Sequence, residues 1–234
     1  MLTSFFKKNK NTQQFSNTFL KYFIGVFVVL SLSSVIIPYL FPTITLNEIF
    51  SLSLHSIDKK FLWQLITYPF VYFSFDFDAS FFINVIFHAY ILWMVSSSLI
   101  ERKGLKSFVY LYMTNTFLIG TIAIIAMKLM SPFYLFFGHT TILCGLLISW
   151  LMINPFSHLF LMHAIKVKAK WLVFGYVGYC LYDLLSSSDW IGVITLGSSV
   201  VINYFFALFA WKGSSELTFL ESFEKMLKKE TSYN

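Results

Sequence analysis

Six apolar stretches, parted by short polar or basic connections, limit what this chain can fold into more than any other feature. They lie at 22–41, 79–99, 107–129, 138–153, 171–186 and 190–211. Most approach the ~20 residues that an α-helix needs to cross the hydrocarbon of a bilayer. The chain supports that reading as a whole. Of its 234 residues 57% are hydrophobic and only 12% charged, against about 25% charged in soluble domains. The expected class is therefore all-α, a polytopic integral membrane protein of six spans. Its 29 Phe and 13 Tyr suit lipid-facing surfaces and the interfacial belt. The first stretch is longer than the ~7–15 apolar residues of a signal peptide, and no small-residue cleavage site follows it. It reads as an anchor.

The basic residues orient the bundle. Lys7, Lys8, Lys10 and Lys21 precede the first stretch, and Arg102, Lys103 and Lys106 lie between the second and third. Lys166, Lys168 and Lys170 lie between the fourth and fifth, and Lys212, Lys225, Lys228 and Lys229 follow the sixth. Six spans put these 14 of the 17 basic residues on one side, with Lys59, Lys60 and Lys128 on the other. The positive-inside rule then predicts a multi-pass protein with both termini cytoplasmic. The net charge of +6 serves orientation and is no footprint of nucleic acid. The expected layout is a cytoplasmic tail at 1–21, a membrane domain at 22–211 with an outer loop at 42–78, and a second tail at 212–234. That last tail carries Leu217, Leu220, Phe223 and Leu227 at the spacing of an amphipathic helix. Within the outer loop, 61–70 is apolar and aromatic, so it is expected to lie in the interface or to pack on the bundle. Cys144 and Cys180 fall inside apolar stretches and imply neither a disulfide framework nor a metal site. No motif calls for a cofactor, and the sequence leaves the oligomeric state open.

Several segments together carry a family resemblance. Phe137-Gly138-His139-Thr140-Thr141 opens the fourth stretch, with Gly145-Leu146-Leu147 after it. Trp63-Gln64-Leu65-Ile66-Thr67-Tyr68-Pro69-Phe70 lies in the outer loop. Ser80-Phe81-Phe82-Ile83-Asn84 opens the second stretch, Glu101 and Gly104 close it, and Thr195-Leu196-Gly197-Ser198 lies in the sixth. In order and spacing these segments resemble the rhomboid intramembrane serine proteases, over roughly 61–211. The resemblance implies a six-span bundle whose fourth span opens with the nucleophile of a serine–histidine dyad. Thr140 stands at the nucleophile position, Thr141 at the following glycine and Thr195 at the histidine. Ser80 stands where the family has a histidine, Gln64 where it has an arginine. Asn84 and Gly138 match the oxyanion-binding set.

Those substitutions bear directly on chemistry. Thr140 retains a hydroxyl, but Thr195 cannot take a proton near neutral pH, and losing the base of such a unit costs several orders of magnitude in rate. The resemblance thus implies a degenerate member that binds the transmembrane segments of client proteins or partner helices within the lipid bilayer. Asn84, Thr140 and Thr195 would converge below the outer surface, with Ser80 and Gly138 beside them. The first alternative is an active intramembrane endopeptidase using Thr140 with a displaced base. His88 is the candidate, four residues after Asn84 and about 6 Å deeper on the same helix face. A histidine at that depth is a functional hypothesis by default. His139 is expected to be interfacial, and His55, His158 and His163 sit in connections. The second alternative is a small transporter or channel, against which stands the scarcity of ionisable residues within the stretches. Ser198, Ser199 and Asn203 read as helix-packing polar residues.

Overall fold

The computed structural model describes residues 2–40, 49–72, 78–155, 157–161 and 165–211. Six long helices form the bundle: α1 (Leu2–Leu40), α2 (Ala79–Lys103), α3 (Leu105–Met130), α4 (His139–Ile153), α5 (Ala169–Ser186) and α6 (Trp190–Trp211). Gln14–Pro38 within α1, together with α2, α3 and α6, are long and apolar enough to cross a membrane. The fold is thus a multi-pass helical membrane bundle. α4, with 15 residues, and α5, with 18, are shorter. The described residues of all six expected stretches are helical apart from Gly138 just ahead of α4, and the largest difference is at α1. It starts far ahead of the apolar residues, because 2–24 contains neither proline nor glycine to stop it. The expected amphipathic tail at 212–234 lies outside the described residues.

Local chemistry sets the helix ends. Asp78 caps α2, accepting the Phe81 N–H at 2.9 Å, which satisfies one of the donors a helix start leaves free. α2 stops at Gly104, whose φ of +85° lies where only glycine sits without strain. The chain reverses there directly into α3. At the start of α6, Asp189 accepts the Gly192 N–H at 2.9 Å.

Consecutive helices alternate in direction. Lys103 at the end of α2 donates to the Trp211 carbonyl at the end of α6, at 3.0 Å. Arg102 donates to the Ile153 carbonyl at the end of α4, at 3.3 Å. That end of the bundle also carries an antiparallel ribbon, β1 (His158–Leu161) and β2 (Ile165–Lys168), in register from His158↔Lys168 to Leu161↔Ile165. Its lysines mark a basic connection, and the alternation Ile165-Lys166-Val167-Lys168 carries the period of a strand.

At the opposite end, the connection between α1 and α2 packs on the bundle. Leu52 and Phe136 exchange backbone hydrogen bonds at 3.0 and 2.9 Å, and one-turn helices at Leu54–Asp58 and Gln64–Thr67 follow. Tyr68 is fully buried, and its hydroxyl donates to the Thr116 carbonyl in α3 at 2.7 Å.

α4 is the axle of the fold. Every residue in it except Thr140 and Ile153 is buried, as befits a helix that is apolar all round. It meets α6 closely at Gly145, where an added Cβ would lie 2.3 Å from both the Asn203 amide nitrogen and the Ser199 hydroxyl. Ser149 donates to Asn203 Oδ1 at 3.1 Å, and Ser199 donates to Asn115 Oδ1 in α3 at 3.3 Å. This polar seam is the helix-packing role expected for Ser199 and Asn203.

Candidate functional site

At the end away from the ribbon, a cavity of about 400 Å³ opens among α2, α4, α5 and the start of α6. Asn84 and His88 enter it from α2, one helical turn apart. Thr140 and Thr141 enter from the start of α4, and Tyr176, Cys180 and Asp183 line up along α5. Asp189 closes it at the α5–α6 turn, with Tyr134 from the α3–α4 connection. Phe87 and Tyr179 belong both to its lining and to the bundle surface, at 48% and 66% exposure. The cavity therefore reaches that surface between α2 and α5.

Asn84, Thr140 and His88, singled out from sequence, are thus brought together. Asn84 lies beside Tyr72 in the lining. Thr140 is the one residue in the first three turns of α4 that is not buried, because it faces this opening. His88 is buried, and its Nε2 lies 2.8 Å from the Tyr176 hydroxyl, while its Nδ1 has no partner among the described residues. Beyond it, Cys180 and Cys144 pack together with Leu196, and Tyr176 packs against that cluster.

Three other residues lie elsewhere. The Thr195 hydroxyl is fully buried and donates within its own helix, to the Ile191 and Gly192 carbonyls at 2.9 and 3.0 Å. It is not part of the cavity lining. Ser80 donates to the Asp78 carboxylate at 2.8 Å and completes the cap of α2. The Phe81 N–H and this hydroxyl hold the Asp78 carboxyl below its usual range. Gly138 lies against Tyr68, whose ring a Cβ would meet at 2.0 Å, and its N–H donates to the Tyr68 carbonyl at 3.2 Å. Its role in the fold is this close approach.

His139 departs from the expected interfacial position. It is buried, stacked on Phe27 at 4.0 Å between ring centroids, with Nδ1 3.1 Å from the Pro69 carbonyl oxygen. The connection between α1 and α2 folds over it, and a sequence pattern does not reveal such cover. The carboxylates were missed. Asp183 is the one acidic residue inside an apolar stretch from α3 to α6, and a charge there marks function by default. Asp189 accepts the Tyr134 hydroxyl at 2.5 Å. Burial, this bond and the neighbouring carboxylate charge push the Tyr134 phenol above its ordinary range.

No protein-family model matches the chain, and no curated protein is significantly similar to it.

Proposed function

We propose that the protein is a six-span, rhomboid-like membrane protein that holds the transmembrane segments of client proteins in its cavity without cleaving them. The observation that carries this reading is the cavity reaching the bundle surface between α2 and α5 while presenting Asn84 and Thr140 inside it. A client helix approaching through the bilayer would meet hydrogen-bonding groups there, and an amide such as Asn84 offers both donors and an acceptor. The alternating directions of the six helices, and the collection of Arg102, Lys103, Lys168 and Lys170 at the ribbon end, support cytoplasmic termini and an outward cavity.

The chemistry at hand favours holding over hydrolysis. A hydroxyl becomes a nucleophile when a base takes its proton. Thr140 makes no hydrogen bond to an imidazole among the described residues, His88 is bonded to Tyr176, and Thr195 offers no base. Proteolysis through Thr140 and His88 stands as the second reading, because both residues line one cavity.

The deciding experiment offers a model transmembrane substrate to the purified protein in vesicles. The expected result is association with the intact substrate, weakened about three- to thirtyfold by Asn84→Ala, which corresponds to one membrane hydrogen bond. Cleavage that disappears in both Thr140→Ala and His88→Ala would replace the proposal with the protease reading.

A further inference from the structure

The cavity is one-sided in charge. Asp183 and Asp189 line it, and among the described residues no lysine or arginine does. Asp189 is fully engaged by the Tyr134 hydroxyl and the Gly192 N–H at the start of α6. Asp183 is different. It sits one turn before the end of α5, exposed on the rim, and its carboxylate has no ion pair or hydrogen bond among the described residues. A carboxylate within an apolar helix is costly and calls for a partner.

The surroundings specify that partner. Tyr72, Tyr176, Tyr179 and Phe87 bring aromatic rings to the same cavity, and ring faces attract cations. The Asp183 carboxylate, the phenol oxygens and the Asn84 carbonyl, all on residues that line the cavity, suit a donor of several N–H bonds.

We propose that this cavity receives an organic cation, an ammonium or guanidinium group, with Asp183 as its counter-ion and the tyrosine rings as its walls. The favoured source is a lysine or arginine near the outer end of a client's transmembrane segment, a choice that rests on the client-holding reading. The ammonium headgroup of a phospholipid offers the same chemistry.

The test uses the full chain in phosphatidylglycerol vesicles, whose headgroups carry no ammonium. Two dansyl-labelled transmembrane peptides differ only in lysine or norleucine at the outer end. Energy transfer from the protein's tryptophans reads their association. The lysine peptide is expected to bind roughly three- to tenfold more tightly, the range of an exposed ion pair plus one cation–π contact. Asp183→Asn should erase that difference, while Asp183→Glu should keep most of it. An equimolar mixture with phosphatidylethanolamine separates the sources. If it removes the lysine preference, the headgroup occupies the same cation site; if the preference persists, the client's side chain wins the site. Equal binding of both peptides, or a preference that survives Asp183→Asn, overturns the cation site but leaves client holding intact. Failure of both peptides to bind removes client holding instead. The cation site is then judged on methylguanidinium, which should raise the unfolding temperature over sodium at matched ionic strength in the wild type and not in Asp183→Asn. No such rise would overturn it.

Discussion

Gly145→Ala tests the packing that positions the cavity. The added Cβ would lie 2.3 Å from Asn203 Nδ2, 2.3 Å from Ser199 Oγ and 2.9 Å from Asn203 Cγ. Ordinary contacts begin about 1 Å farther out, at the ~3.5 Å separation of packed atoms. Both groups are bonded in place, Asn203 to Ser149 and Ser199 to Asn115, so neither can swing aside freely. Overpacking costs about 1–3 kcal/mol, and a disturbed membrane hydrogen bond adds about 0.6 kcal/mol. The expected loss is about 2–4 kcal/mol. Gly175→Ala on α5 is the control, because nothing lies within 4 Å of its Cβ, and it should change stability by less than about 0.5 kcal/mol. Reversible unfolding in mixed micelles, followed by tryptophan fluorescence, measures both. The double variant Gly145→Ala/Asn203→Ala should cost less than the sum of its single changes, since one obstructing side chain is gone. If Gly145→Ala is neutral, or the double variant is strictly additive, α4 and α6 do not meet as closely as described.

Tyr134→Phe removes the hydroxyl that ties the α3–α4 connection to Asp189, and a hydrogen bond to a charged group predicts a loss of about 1.5–3 kcal/mol in the same assay. Because the folded Tyr134 phenol is held above its ordinary range, the unfolded chain ionises first, and stability falls as pH rises past about 10. That fall should be shallower in Tyr134→Phe, and identical alkaline limbs would refute the assignment. Reporter fusions after Asn11 and in 166–170 should read cytoplasmic and one near Lys59 external; an external reading in 166–170 would break the six-span topology. Thr195→Val removes a hydroxyl bonded only within α6, so it should leave client association unchanged, and a loss matching Asn84→Ala would place Thr195 in the site.

The helices were legible because a bilayer demands long apolar runs, and 79–99, 107–129 and 190–211 announce themselves by length alone. Asn84 and Thr140 were legible through the resemblance, as positions that match its motifs, and His88 as an ionisable residue one turn from Asn84 on the same helix face. Packing against distant chain segments was hidden. Gly138 was matched to an oxyanion role, yet the ring of Tyr68, seventy residues earlier in the chain, is what occupies its free face. Thr195 sat in register by spacing, but a threonine can return its hydroxyl to its own helix backbone, and it does so here. The short ribbon was hidden by its lysines, which read as orientation signals rather than as alternating strand residues.

The brevity of α4 has a consequence for the membrane itself. Fifteen residues span about 22 Å at 1.5 Å per residue, against ~30 Å of hydrocarbon. Longer helices stand around it, so lipid does not have to thin to match the short one. The cavity forms a recess at the start of this short helix, with Thr140 in its lining. Water filling such a recess brings high dielectric below the level of the surrounding acyl chains. A polar group sliding in from the side would leave hydrocarbon for that wet interior, and the barrier to carrying charge toward the bilayer centre would be locally thinner than the membrane around it.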